Sequence, residues 1–153
     1  MSQPKDRRPI IDGEVAEYLE EMRIPLRLAA VTESGWPLVL SLWYVLDGAK
    51  LWCATQNNAK IVRYLEADSR CAFEVASERP PYRGVRGQGR ARLNSERGKE
   101  VLEILLDRYL SGRDSPLAQQ LLAKGDTEVA IEITPVTLFS WDYTHRMRDS
   151  VRS

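Results

Sequence analysis

The chain has 153 residues, of which 43% are hydrophobic and 29% charged, so its length and composition are those of one globular domain with its own core. Its 22 acidic and 22 basic residues cancel, which argues against a dedicated nucleic-acid binder, because such proteins carry a basic excess. The sequence has no apolar run near the roughly 20 residues that span a membrane, and no signal peptide is recognisable. We therefore expect a cytoplasmic protein with neither membrane nor nucleic acid as partner.

The first half of the chain predicts two helices and four strands. In chain order, the apolar spacing predicts helix, strand, strand, strand, helix and strand over 12–22, 26–32, 38–46, 49–54, 57–67 and 71–76. Turn chemistry at 33–37 and the Asp47-Gly48 pair separates the first three strands, and the pair indicates a tight hairpin. Asn57 or Asn58 is expected to cap the second helix.

The second half predicts a strand, two helices and two further strands, over 83–93, 95–110, 117–123, 127–134 and 136–143. Pro135 is expected to interrupt the last pair. Hairpins and meanders imply an antiparallel sheet of about six strands, which closes most simply as a small barrel with helices outside. One domain over 11–143 is thus predicted, between a flexible tail over 1–10 and a polar tail over 144–153.

The strand over 83–93 alternates with period two, so its side chains form two different faces. One face is polar and carries Arg86, Gln88, Arg90 and Arg92. The other is small or apolar and carries Val85, Gly87, Gly89, Ala91 and Leu93. Side chains this small would let a neighbouring strand or a flat ligand approach closely.

The segment from Leu51 to Val75 predicts a phosphate site at a junction between strand and helix. Thr55 supplies a hydroxyl, Lys60 an ammonium group, and the amides at 57–59 supply free N–H donors, all of which suit a phosphate. Arg63, one turn on, and Arg86 are further candidate contacts. The alternative is that Lys60 is an ordinary solvated residue on an exposed helix.

Other chemistry has less support from the residues. The single histidine, His145, lies in a basic tail with no nucleophile or metal-ligand spacing around it. Cys53 and Cys71 lie in apolar strands, which predicts buried free thiols rather than a zinc site or a disulfide. An arginine stripe is either a solvated strand face or an anion-binding wall, and comprises Arg79, Arg83, Arg86, Arg90, Arg92 and Arg97.

Taken in order, several short motifs resemble the pyridoxamine 5′-phosphate oxidase-like superfamily of flavin-binding split β-barrels. The resemblance covers residues 12–142 and is carried by Pro37-Leu-Val-Leu-Ser-Leu-Trp-Tyr44, Asp47-Gly48, Leu51-Trp-Cys-Ala-Thr55, Ala59-Lys60, Arg70-Cys-Ala-Phe73 and Arg83-Gly-Val-Arg-Gly-Gln-Gly-Arg-Ala91. It implies a mainly β fold with flanking helices, a six-stranded antiparallel split β-barrel. It also implies a homodimer with flavin mononucleotide (FMN) in grooves at the subunit interface.

The resemblance assigns cofactor contacts to particular positions. The strand along the flavin ring would contribute Val39, Leu40, Ser41 and Leu42. The phosphate end would contain Thr55, Ala59 and Lys60. Arg86 would lie near the ring or the phosphate, and Trp141 matches a late aromatic residue of the family. No catalytic side chain and no metal are implied, because N5 of the cofactor carries the reaction.

The chain departs from the namesake oxidases at three places. Val39 and Ala59 stand where those enzymes have arginines that help to hold the phosphate, and residues 144–149 lack their Arg-x-His substrate motif. The expected function is therefore hydride transfer to or from another small organic substrate by an FMN-binding oxidoreductase. The alternatives are a reductase that uses the deazaflavin F420, a non-enzymatic flavin carrier or sensor, and a cofactor-free dimer.

Overall fold

The computed structural model describes residues 10–144, so both predicted tails, apart from Ile10 and Thr144, lie outside the described residues, as does His145. The helices are α1 (Gly13–Glu21), α2 (Lys60–Ala67), α3 (Gly98–Leu110) and α4 (Pro116–Leu122), with one 3₁₀ turn (Gly125–Thr127). The strands are β1 (Leu26–Val31), β2 (Pro37–Leu42), β3 (Val45–Asp47), β4 (Lys50–Gln56), β5 (Arg70–Ala76), β6 (Arg83–Asn94) and β7 (Glu128–Asp142). None of the helices in this part of the chain is long and apolar enough to cross a membrane.

All the strands belong to one antiparallel sheet in the order β2-β1-β5-β6-β7-β4-β3. The fold is mainly β with flanking helices, as predicted, but the sheet has seven strands and not six. The two strands expected over 127–134 and 136–143 are the single strand β7, whereas the strand expected over 38–46 is two strands, β2 and β3, at opposite edges of the sheet. Only Trp43 and Tyr44 join them, and three Cα–Cα steps span no more than about 11 Å. The two edges therefore lie close together, and the sheet curls into a split barrel.

Tertiary contacts at Trp43 and Tyr44 end β2. Tyr44 is fully buried, and its backbone N–H donates to the Tyr109 hydroxyl at 3.2 Å instead of to a strand. The ring of Trp43 stacks on that of Tyr109, with centroids 5.1 Å apart. These contacts with α3 turn the chain from one sheet edge to the other, in a segment whose apolar residues alone favour an unbroken strand.

The predicted hairpin is confirmed, with its two turn residues one position later than Asp47-Gly48. Asp47 pairs with Lys50, and the two residues between them, Gly48 and Ala49, both have positive φ, at 60° and 62°. That combination is the type I′ turn, whose twist matches the twist of the two strands.

The predicted interruption at Pro135 does not occur, and β7 continues for 15 residues. Pairing between β4 and β7 ends at Ile133, so beyond that point β7 has β6 as its neighbour. The register between β6 and β7 shifts at Gln88/Gly89, and Gly89 pairs with Pro135. A bulge of this kind accommodates a proline inside a strand.

The barrel interior is apolar, and the helices cover it or pack on its outside. α2 packs against β1 and β6, while α3 packs against β4 and β7. Cys53 and Cys71 are buried and free, as expected, and burial raises the pKa of both thiols, that of Cys71 to about 11. A raised pKa disfavours the nucleophilic thiolate, so neither cysteine is a candidate nucleophile.

Candidate functional site

A groove follows the outer face of the sheet, where β2, β1, β5, β6 and β7 lie side by side. Its larger part has a volume of about 640 Å³, within the range of small-molecule sites. A smaller part of about 430 Å³ continues from it, because Ala29, Ala72 and Gln88 line both. We take this groove as the candidate ligand site.

The antiparallel register builds the groove from side chains that alternate out of the sheet. One row across the five strands has small residues at its centre and consists of Val39, Ala29, Ala72, Gln88 and Thr137. Because an alanine methyl group projects little from the sheet, the middle of the groove has a flat floor two strands wide. Such a floor suits a planar ligand.

The next row, two residues along each strand, carries charge and consists of Ser41, Arg27, Glu74, Arg86 and Phe139. The Arg27 guanidinium is held in place, since it donates to Ser41 Oγ at 3.2 Å and to the Glu78 carboxylate at 3.1 Å. The Arg86 guanidinium carbon instead lies 4.7 Å from the centroid of the Phe139 ring. This end of the groove therefore combines cations with an aromatic wall.

Trp141 extends that wall because the residue opposite it has no side chain. Gly84 pairs with Trp141, and a Cβ on Gly84 would lie 2.3 Å from the indole ring. The indole centroid is 5.7 Å from the Arg86 guanidinium carbon and 6.1 Å from the Phe139 centroid. Two aromatic rings thus support one arginine at the side of the groove formed by β6 and β7.

The small face of β6 points into the barrel, and protein fills the space beside it. A Cβ on Gly87 would lie 2.3 Å from the Thr137 carbonyl oxygen and 2.7 Å from the Phe73 ring. A Cβ on Gly89 would lie 2.6 Å from the Thr134 carbonyl oxygen. Of the two predicted uses of this face, close approach of a neighbouring strand is the one that the structure shows.

The predicted phosphate junction has fewer free amides than expected. The Asn57 N–H donates to the Thr127 carbonyl at 2.9 Å and the Ala59 N–H to the Gln56 carbonyl at 3.0 Å. The helix begins at Lys60 with Ala59 as its N-cap and no side-chain cap, so the predicted capping by Asn57 or Asn58 was wrong.

Three other amides at this junction remain available. Within residues 10–144, the N–H groups of Asn58, Lys60 and Ile61 donate to no acceptor, as expected at the start of a helix. The Lys60 ammonium group is exposed and forms no ion pair with the described residues. Arg63, by contrast, pairs with Glu33 at 3.3 Å, which makes it a poorer phosphate contact than the sequence suggested.

The structure divides the predicted site residues into two groups. Val39 and Arg86 line the larger part of the groove, Ser41 lies beside them in the charged row, and Trp141 supports Arg86. The side chains of Leu40 and Leu42 pack against the core, so only their backbone faces outward. The second group, Thr55, Ala59 and Lys60, lies at the junction of β4 and α2 and lines neither part of the groove.

Several groove residues were missed from the sequence, namely Arg27, Ala29, Ala72, Glu74, Gln88 and Phe139. Arg27 and Glu74 carried a usable signal, since each is a charged residue inside an otherwise apolar strand. The alanines carried none, because a small residue in a strand is equally common in a core. Only the pairing of β1 with β2 and β5 brings these residues into one surface.

A buried carboxyl group next to the phosphate junction should make stability depend on pH. Glu128 is 7% exposed, and burial raises its pKa, although Gln56 donates a hydrogen bond to it. A raised folded-state pKa stabilises the fold at low pH, and that contribution is lost as the pH rises from the ordinary value of 4.5 through the folded value. Glu128→Gln, whose amide oxygen can accept the same bond, should therefore unfold at higher urea than wild type at pH 8 and lose this advantage towards pH 4.

Glu100→Gln is the control of opposite sign. A hydrogen bond from Arg97 lowers the pKa of Glu100, so its stabilising contribution is present at neutral pH and is lost on acidification. Urea unfolding midpoints at four pH values between 4 and 8 would test both variants. A Glu128→Gln protein no more stable than wild type at pH 8 would contradict the burial of an ionised carboxylate.

Comparison with known proteins gives one family for most of the chain. The family model described as pyridoxamine 5′-phosphate oxidase matches residues 12–139. A search of curated proteins finds no significant match.

Solved structures with the same fold have diverse roles. A conserved hypothetical protein of Mycobacterium tuberculosis is 23% identical, with a TM-score of 0.72, and the alignment covers 92% of this chain and 91% of that one. An F420 reductase is 24% identical, with a TM-score of 0.69 and coverage of 84% and 98%. The heme storage protein HutZ of Vibrio cholerae is 18% identical, with a TM-score of 0.64 and coverage of 84% and 93%. At these identities the likeness shows the fold alone.

Proposed function

This chain belongs to the pyridoxamine 5′-phosphate oxidase family, and on that basis we propose that it is an FMN-binding oxidoreductase that transfers hydride to or from a small organic substrate. The observation that carries the proposal is the groove, whose flat floor of Ala29 and Ala72 lies between Val39 on one side and Arg86 on the other. A planar ring fits such a floor, and the family's cofactors contain one.

The phosphate end of the proposed site is the β4–α2 junction. A phosphate needs several N–H and O–H donors and a positive charge. The Thr55 hydroxyl, the unused amides of Asn58, Lys60 and Ile61, and the exposed Lys60 ammonium group supply these. The donor set fits a phosphate monoester even without the two arginines that Val39 and Ala59 replace.

The proposed site needs a second copy of the chain. Thr55 and Lys60 do not line the groove that contains Val39 and Arg86, so one chain alone does not bring the two groups together. The groove face also exposes apolar side chains, with Val39 at 64%, Val136 at 60% and Phe139 at 53% exposure. A contiguous exposed apolar surface is typical of an interface. We therefore propose a homodimer in which the partner covers this face and completes the site.

In the proposed mechanism the protein binds and orients, while the bound cofactor supplies the hydride chemistry. Lys60 would neutralise charge on the phosphate, and the junction amides would donate hydrogen bonds to it, so that together they would hold one end of the cofactor. β2 would hold the other end, because Leu40 and Leu42 are packed into the core while Val39 and Ser41 face the groove. Exclusion of water from the groove by the partner would strengthen these polar contacts.

F420 is the alternative cofactor, supported by the fold shared with an F420 reductase. A phosphate-binding junction and a flat floor serve either ring system. The absorbance spectrum and the mass of the small molecule that co-purifies would identify the cofactor. A protein that binds cofactor but never turns over with any electron donor would be a carrier or sensor, and a colourless protein that takes up neither cofactor would be a cofactor-free dimer.

One protein of the same fold is a heme storage protein, but this chain has few side chains that could hold heme iron. Heme iron is usually held by an axial side chain such as histidine. The only histidine in the sequence is His145, which lies outside the described residues, and both cysteines are buried in the core.

Replacing Lys60 tests the phosphate end. Lys60→Ala should weaken FMN binding by about 1.5–3 kcal/mol, because it removes a charge-assisted hydrogen bond. That loss corresponds to roughly a 10- to 150-fold increase in Kd, measured by flavin fluorescence titration.

Lys50→Ala is the matched control, since Lys50 lies at the other end of β4 and pairs with Glu132 at 2.7 Å. It should bind FMN like wild type. Riboflavin, which lacks the phosphate, should bind wild type and Lys60→Ala equally well. If Lys60→Ala and wild type had the same affinity for FMN, Lys60 would not belong to the site.

A further inference from the structure

Two arginines, Arg27 and Arg86, line the larger part of the groove, and they differ in whether a carboxylate pairs with them. Arg27 is neutralised by Glu78 at 3.1 Å. Within residues 10–144, Arg86 forms no ion pair, even with Glu74, which lies directly opposite it in the β5–β6 register and lines the same cavity. Its positive charge is therefore available to a ligand in the groove.

Aromatic rings orient this arginine. The guanidinium carbon lies 4.7 Å from the Phe139 centroid and 5.7 Å from the Trp141 centroid, so two aromatic rings lie against the group and restrict its position. Guanidinium groups supported in this way lose little entropy when they bind a planar oxyanion with two parallel hydrogen bonds. The support comes from the protein itself and needs no ligand.

The surroundings of Arg86 define the rest of the ligand. The lining on the β6–β7 side of the groove combines apolar Leu138 and Phe139 with the uncharged polar residues Gln88 and Thr137. Glu74 in the same row would repel a second negative charge. We propose that Arg86, held by Phe139 and Trp141, is a specificity-determining residue that binds the carboxylate of a flat, apolar monocarboxylate substrate.

This assignment rests on the proposed function, because it takes the groove to be the place of reaction. It changes the expected role of Arg86 from binding the cofactor to binding the substrate. β2 and β6 are three strand spacings apart, or about 14 Å along the sheet. A ring beside Val39 on β2 and a carboxylate at Arg86 on β6 can therefore occupy the groove together. Arg86 would then contribute to the affinity for the substrate and not to the affinity for the cofactor.

The test measures binding of simple probes by calorimetry, with and without FMN. Benzoate carries a planar carboxylate, benzamide is its neutral analogue, and phenyl phosphate carries more charge. Wild type should bind benzoate about tenfold more tightly than benzamide, which is about 1.4 kcal/mol. Arg86→Gln should abolish that preference, and Arg86→Lys should lose most of it, because lysine lacks the planar fork.

Arg92→Gln is the control, since Arg92 lies on the same face of β6 but lines neither part of the groove. It should keep the preference for benzoate. Equal binding of benzoate and benzamide by wild type, an unchanged preference in Arg86→Gln, or tighter binding of phenyl phosphate than of benzoate would each overturn the proposal. FMN titration of the same proteins separates this proposal from the proposed function. Loss of FMN binding in Arg86→Gln would show that Arg86 binds the cofactor and would overturn the present proposal. A wild type that binds no FMN but prefers benzoate would refute only the proposed function.

Discussion

Replacing Gly98 with alanine should lower the free energy of unfolding by about 3 kcal/mol, because the added methyl group has no space. Gly98 is the buried first residue of α3, and a Cβ there would lie 1.9 Å from the Glu128 carbonyl oxygen and 2.8 Å from the Val129 nitrogen. Both neighbours are backbone atoms of β7, so relief requires α3 to move away from the sheet. The same change in an exposed helix would stabilise it by about 1 kcal/mol, so the expected sign is reversed.

Gly125→Ala is the matched control for that result. Gly125 is also buried and lies near the start of β7, but the closest atom to its Cβ would be Lys99 Cγ at 3.4 Å, in a flexible side chain that can move. Its unfolding free energy should change by less than about 0.5 kcal/mol. Urea denaturation would measure both variants, with an unchanged m-value as the sign that only stability has changed. A Gly98→Ala protein as stable as wild type would show that α3 does not begin so close to β7.

Local sequence patterns correctly predicted those elements whose structure does not depend on contacts between distant residues. The alternation over 83–93 correctly separates the exposed arginines of β6 from its buried face, because period two is a property of any half-buried strand. Asp47-Gly48 correctly marks a hairpin, because the turn is formed by neighbouring residues, Gly48 and Ala49, one of which belongs to that pair. Both signals lie within a few neighbouring positions of the sequence.

Contacts between distant residues decided the elements that were predicted wrongly. The break between β2 and β3 depends on Tyr44 and Tyr109, 65 positions apart, and apolar residues on both sides of it conceal it. The continuity of β7 through Pro135 depends on β4 having ended as a partner and on a bulge opposite β6. Neither condition can be read from a local window.

The candidate site, too, contains residues that the sequence could predict and residues that only the strand order brings together. The family resemblance points to Val39, both the residue pattern and the resemblance point to Arg86, and the sheet order places the two on opposite sides of one groove. The floor between them comes from β1 and β5, whose pairing partners no local pattern specifies. Hydrophobic alternation finds the outward face of each strand, but only the strand order says which outward residues become neighbours.

The second large effect is expected at Arg108, which ties α3 to the end of α1. Its guanidinium donates to the carbonyl oxygens of Leu19, Glu20 and Met22 at 2.9–3.0 Å. The last carbonyls of a helix have no partner within the helix, and α1 has no basic residue in its own last turn. Arg108→Met, which keeps most of the side-chain volume, should lower the free energy of unfolding by about 3 kcal/mol.

Tyr44 cannot replace the lost arginine. Its hydroxyl lies 2.7 Å from the Leu19 and Met22 carbonyl oxygens but has one hydrogen to donate, so at least one buried carbonyl would remain unsatisfied. The Arg108 guanidinium also lies 5.1 Å from the Tyr44 ring, so the substitution removes a cation–π contact at the link between β2 and β3. Because that link positions β2, the variant should also weaken FMN binding severalfold.

Arg92→Met controls for the loss of a charge, since the Arg92 side chain is exposed and forms no ion pair or hydrogen bond with the described residues. Its unfolding midpoint in urea should remain close to that of wild type. If Arg108→Met were equally stable, water or Tyr44 would satisfy the α1 carbonyls and the link would not depend on α3. If Arg108→Met were less stable than wild type yet bound FMN normally, the pairing of β2 with β1 would be enough to position β2. The contacts of Tyr44 in the core would then have no effect on the groove.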